Sequence, residues 1–169
     1  MSERHPWRPT RRLTDTLVAA LAPVTACAVA LGGLTVWVGT GQAGTPAHVD
    51  VTEGRVFLPY GDTRDTAAFF DLTNSGDADD RLVEVTSAAT DGDISLSRHR
   101  AVGDGAAAKE TVESATVPAD GELAMSPHGV DVTLRAGERW QVGDRVPFTL
   151  HFEHTGPVEA VAVVVRPAS

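Results

Sequence analysis

The chain has 169 residues, enough for one compact domain and a small appendage, and a single cysteine, Cys27. Its net charge of −9 is unevenly divided: residues 1–16 carry four arginines against Glu3 and Asp15, whereas residue 45 onward carries ten Lys/Arg and 21 Asp/Glu, near −11. So acidic a domain repels a phosphate backbone, which excludes nucleic-acid binding, and with the one cysteine inside an apolar N-terminal run the domain beyond it has none, which excludes a disulfide framework and a blue-copper centre there.

Residues 1–16 read as a basic tail. Residues 17–38 (LVAALAPVTACAVALGGLTVWV) are uncharged and long enough to cross a bilayer core. Arg8, Arg11 and Arg12 just before them place the tail in the cytoplasm, and everything after the span outside it. The uninterrupted length favours an uncleaved signal anchor. The alternatives are secretion after cleavage behind Ala43 in Gly41-Gln-Ala43, and lipid attachment at Cys27 in Val24-Thr-Ala-Cys27. Residues 39–46 (GTGQAGTP) are small and flexible, a linker leading to a domain over 47–169.

Within that domain, short runs of alternating apolar and polar residues recur every eight to twelve positions. They lie at 47–59, 66–74, 81–87, 93–97, 110–117, 122–125, 130–134, 146–153 and 158–165. Between the second and third, Ser75-Gly-Asp-Ala-Asp-Asp80 is rich in turn formers and reads as a solvated hairpin. It lacks the spacing and closing glutamate of an EF-hand loop, so calcium is not expected there. In residues 146–153, Phe148, Leu150 and Phe152 share one face, leaving Thr149, His151 and Glu153 on the other. Nine such strands without helical periodicity predict an all-β fold, an antiparallel sandwich or small barrel preceded by one N-terminal helix.

The candidate site centres on Met125-Ser-Pro-His128, which holds the only methionine beyond the start and a histidine three positions later. A thioether and an imidazole are donors that soft Cu(I) prefers. His99, in Arg98-His99-Arg100 at the far end of a strand, is the third candidate. His151 faces solvent by alternation, while His48 and His154 sit near a strand start and a turn as ordinary polar residues. Asp131 near His128 forms a possible imidazole–carboxylate pair. No nucleophile elbow or phosphate-cradling glycine loop is present, so a binding protein is expected rather than an enzyme.

The order of these segments resembles the PCu(A)C family of extracytoplasmic copper chaperones. The resemblance is carried by Ala67-Ala-Phe-Phe-Asp-Leu-Thr-Asn74, Asp80-Arg-Leu-Val-Glu-Val-Thr-Ser87, Val117-Pro-Ala-Asp-Gly121 and Val142-Gly-Asp-Arg-Val-Pro-Phe-Thr-Leu-His-Phe-Glu153. It implies a cupredoxin-like barrel that holds Cu(I) through His and Met and passes it toward cytochrome oxidase or its copper-assembly proteins. The ligand motif departs from the family's pattern. Its closing His-x-Met falls at Asp131-Val-Thr133, its middle Met near Ala108 or Lys109, and its first His near Ser97, two residues short of His99. Two outcomes stay open: a relocated copper site at His99, Met125 and His128, or a metal-free binding module that kept the fold.

Overall fold

The computed structural model describes residues 11–41, 43–102 and 106–167. They form two units, residues 1–44 and residues 45–169.

The first unit is a single helix, α1 (Arg11–Gly39). Its stretch Ala19–Gly39 is long and apolar enough to cross a membrane, and none of it is buried against protein. The hydroxyls within it are satisfied locally, as an apolar surrounding requires: Thr25 Oγ1 donates to Leu21 O at 2.9 Å and Thr35 Oγ1 to Leu31 O at 3.0 Å. Pro23 lies inside the helix, where it removes one backbone donor, and Cys27 lies exposed on the surface.

The second unit is a ten-stranded sheet. The strands are β1 (Val49–Phe57), β2 (Asp65–Asn74), β3 (Asp80–Thr86), β4 (Asp91–Val102), β5 (Ala106–Thr111), β6 (Ala115–Val117), β7 (Gly121–Ala124), β8 (Val130–Arg135), β9 (Arg145–Phe152) and β10 (Pro157–Val165). Their order is β5-β4-β8-β2-β1-β10-β9-β3-β6, with β7 also pairing β2. Phe70 of β2 packs edge-on against Phe148 of β9 at 5.4 Å between ring centres, although β1 and β10 separate their strands. The sheet must therefore curl around its core, giving the half-barrel expected of a cupredoxin-like chain.

Alternation explains which side chains fill that core. Ala68, Phe70 and Leu72 point inward from β2, Val130, Val132 and Leu134 from β8, and Val146, Phe148, Leu150 and Phe152 from β9, all buried. The expected inward face of 146–153 is thus observed, and His151 on the opposite face meets Thr86 Oγ1 through Nε2 at 3.1 Å. Truncating a ring such as Phe70 to alanine in this packing loses about 3–5 kcal/mol.

Three local expectations are corrected. The sheet is not wholly antiparallel, because β1 and β10 run parallel through Arg55↔Val163, Val56↔Val164 and Phe57↔Val165. The single strand expected at 110–117 is two, β5 ending at Thr111 and β6 starting at Ala115. β5 pairs with β4 and β6 pairs with β3, so the chain crosses between the two ends of the sheet there.

The acidic segment 75–80 is the third, since it is a junction rather than a solvated hairpin. Asp77 accepts from Thr45 N at 2.6 Å and Thr45 Oγ1 at 2.8 Å, and Asp79 accepts from Ala119 N at 2.8 Å. Asp80 is wholly buried and accepts from the amides of Arg81 (2.7 Å), His154 (3.0 Å) and Thr155 (2.8 Å). Carboxylates here replace ladder partners for backbone donors that three different segments leave over. Thr45, placed by composition in the linker, is tied into the domain by this junction.

Candidate functional site

The chemistry-bearing face lies on β5, β4 and β8, on the side of the sheet away from the main core. Register puts Ser97 opposite Asp131 and His99 opposite Lys109. Because side chains alternate, Ser97 and His99 of β4, Asp131 and Thr133 of β8 and Lys109 of β5 share that face, while Leu96, Val130 and Val132 point into the core. The positions to which the resemblance assigned the family's ligands are thus neighbours in space, and His99 stands among them.

The polar contacts are diagonal across the β4–β8 pair. His99 Nε2 lies 3.3 Å from Asp131 Oδ2, and Ser97 Oγ lies 3.1 Å from Thr133 Oγ1. The Asp131 side chain is 5% exposed and that of His99 is 24%. The second carboxylate oxygen, Asp131 Oδ1, is buried with no hydrogen-bond partner among the described residues. An ionised oxygen in that state is destabilising by roughly 1–3 kcal/mol or more unless something neutralises it. Phe57 and Phe69, tilted against each other at 4.8 Å, form the apolar flank of this face.

An open pocket of about 410 Å³ covers the face, lined by His99, Asp131 and Lys109 together with Phe57, Tyr60 and Pro167. Tyr60 stands at its rim, 90% exposed. A concavity with an imidazole, a carboxylate and an ammonium can take a small charged ligand or an ion.

The structure separates the other two expected ligands from this pocket. Met125 is 0% exposed and belongs to the main core, its amide donating to Phe70 O at 3.1 Å and its carbonyl accepting from Arg55 Nη2 at 3.3 Å. His128 is exposed on a tight turn, closed by Gly129 N donating to Ser126 O and Ser126 N donating to Val130 O, both at 3.0 Å. The turn meets β4 through its backbone, the His99 amide donating to Gly129 O at 2.8 Å. Asp131, expected beside His128, pairs instead with His99. The signal for that pairing was the two alternating strands, whose register the residues themselves do not state.

Among the described residues, the remaining histidines have structural partners. His48 Nε2 lies 3.6 Å from Asp50 Oδ2 at the surface, and His154 Nδ1 lies 3.3 Å from Asp80 Oδ1. Burial pushes the Asp80 carboxyl up, but the Thr155 hydroxyl and the amides of His154, Thr155 and Arg81 outweigh it and hold the pKa at about 2. Backbone and hydroxyl hydrogen bonds from Thr45 likewise lower that of Asp77. No group of three or more His, Cys, Asp or Glu arranged to hold a metal occurs among the described residues.

Comparison with known proteins fits this geometry. A family model described as LpqE-like, a lipoprotein family by its description, matches residues 47–165. No curated protein matches. Among solved structures, the copper-bound PCuAC domain from PmoF2 has a TM-score of 0.58 at 21% identity, covering 73% of this chain and 98% of that one. The apo PCuAC domain from PmoF1 has a TM-score of 0.59 at 20% identity, covering 73% and 99%. The solution structure of CuI-DR1885 from Deinococcus radiodurans has a TM-score of 0.56 at 26% identity, covering 69% and 78%. The first two likenesses show the fold, and the family model shows the membership: the chain belongs to the LpqE-like family, and its domain has the fold of PCuAC domains.

Proposed function

We propose that the chain is an extracytoplasmic metal-handling protein of the copper-chaperone type, with copper as its cargo rather than a resident cofactor. In this reading residues 1–16 lie in the cytoplasm, residues 17–38 anchor the chain, residues 39–46 are the linker and residues 47–169 carry copper outside the membrane. The observation that supports it is the gathering of Ser97, His99, Lys109, Asp131 and Thr133 on one face of adjacent strands, at the positions where the family resemblance puts its ligands. His99 is the anchoring donor. Met125 and His128 complete a Cu(I) set only if the 126–129 turn opens, because the Met125 thioether is enclosed in the core. Release is by ligand exchange, in which the recipient's donors (a membrane oxidase or its copper-assembly proteins) replace those of this chain on the ion; no covalent bond of the carrier changes, and the chain is read as a non-enzyme.

The test is elemental analysis of the untagged full chain isolated in detergent from copper-supplemented membranes. Stoichiometric copper in the wild type, lost in His99→Ala, is the expected result. A second reading, a metal-free binding module, is favoured by the burial of Met125, and copper-free protein that still co-purifies with oxidase-assembly proteins decides for it.

A further inference from the structure

We infer that the face built by His99, Asp131, Ser97 and Thr133 takes its ion in the divalent state, so that where copper is the cargo it is bound as Cu(II) and not as Cu(I). This rests on the metal-handling reading of the same face and specifies its ion. Donor chemistry is the first ground. The groups that converge are an imidazole, a carboxylate and two hydroxyls, with no sulfur among them: Met125 is sealed in the core and Cys27 lies on the helix of the other unit. Thioether and thiolate donors select Cu(I), whereas oxygen donors with imidazole suit divalent ions.

Asp131 supplies the second ground. Its side chain is 5% exposed, one oxygen has no partner among the described residues, and the other has only the His99 ring at 3.3 Å. That distance is at the long edge for an N–H···O bond. It is within a few tenths of an ångström of the separation between two donors that each lie roughly 2.0 Å from one shared ion. A buried carboxylate with a free oxygen lowers the energy of a doubly charged ion more than that of a singly charged one, since the attraction scales with the product of the charges. Ser97, opposite Asp131 in the ladder, and Thr133 on the same face hold their hydroxyls 3.1 Å apart, so the nearest polar neighbours along the strands also carry oxygen and no sulfur. Binding exchanges water on the incoming ion for these groups, with any proton on His99 released to solvent, and no electron moves.

Lys109 acts against the ion. It stands opposite His99 in the ladder and lines the same pocket, so its ammonium repels a divalent cation.

The experiment uses the apo full chain in detergent, titrated with Cu(II) delivered as a weak glycine complex, with Zn(II), and anaerobically with Cu(I) held by a competing chelator. The expected result is Cu(II) uptake with an electron paramagnetic signal of one imidazole nitrogen among oxygens, displaced by excess Zn(II). Asp131→Asn and His99→Ala each weaken it at least about tenfold, and Lys109→Met tightens it by about two- to tenfold. Asp131→Asn keeps the side chain's shape at a position where one oxygen already lacks a partner and is expected to fold, which a thermal melt checks. Preferential Cu(I) binding that Met125→Leu abolishes overturns the divalent inference and leaves the copper-carrier reading standing. Cu(II) uptake indifferent to Asp131→Asn places the ion elsewhere, as at the exposed His48 and Asp50 pair, and also overturns it. Retention of neither oxidation state overturns both.

Discussion

Replacing Asp80 should unfasten the domain at its most heavily bonded carboxylate. In Asp80→Ala the amides of Arg81, His154 and Thr155 lose their acceptor while their segments stay packed. At about 1–3 kcal/mol for each buried donor left unpaired, reduced where the 153–156 turn relaxes toward water, the expected loss is about 3–5 kcal/mol. Asp80→Asn keeps one acceptor oxygen in the same shape and should lose less, about 1–2 kcal/mol. Acid separates the two effects. The carboxyl is held at about 2 in the fold against an ordinary 3.8, and at 1.36 kcal/mol per pH unit that difference is worth about 2 kcal/mol. Because the folded value is the lower one, this stability is fully present above the unfolded pKa and is lost as pH falls from roughly 5 to 2. Thermal unfolding of the full chain in detergent, followed by near-ultraviolet circular dichroism at a series of pH values, reads both. The wild type should lose stability across that window, and Asp80→Asn should lose about 2 kcal/mol less. Equal acid sensitivity in the two proteins refutes the assignment.

Other substitutions test the same structural reasoning. Gly76→Ala should be strongly destabilising, because an added Cβ would press on the backbone of Pro46 and Ala47; the melt should fall by several degrees, and an unchanged melt would show that the chain entering β1 is free to move aside. Met125→Leu should change stability by less than about 1.5 kcal/mol, whereas Met125→Ala should lose about 2–5 kcal/mol, as for a core side chain. His128→Ala, at an exposed turn, should stay within about 0.5 kcal/mol of the wild type by chemical denaturation. If Met125→Ala is as mild as His128→Ala, the methionine is not packed as described.

Asp131 and Met125 show how the site divides between what is local and what is not. Met125 stood out because it is the exported domain's only thioether, and composition alone cannot say that alternation through β7 turns it inward against Phe70. Asp131 looked like a lost ligand. Its meaning comes from β4, 32 residues earlier, which supplies His99 to one oxygen and nothing to the other. The acidic run at 75–80 misled for the same reason: Asp, Ser and Gly mark a turn, but the amides that Asp79 and Asp80 accept from lie 40 and 74 to 75 residues away.

The apolar span, the acidic charge of the domain beyond it, the strand-rich composition, the inward face of β9 and the order of segments that marks the family are all legible in the residues alone. All of these depend on neighbours within a few positions, where periodicity and composition act directly. The parallel β1–β10 pair, the burial of Met125, the junction at Asp80 and the meeting of His99 with Asp131 emerge only once the strands are assembled. Strand register is fixed by the packing of the whole curled sheet, and a one-residue slip would send every one of those side chains to the other face.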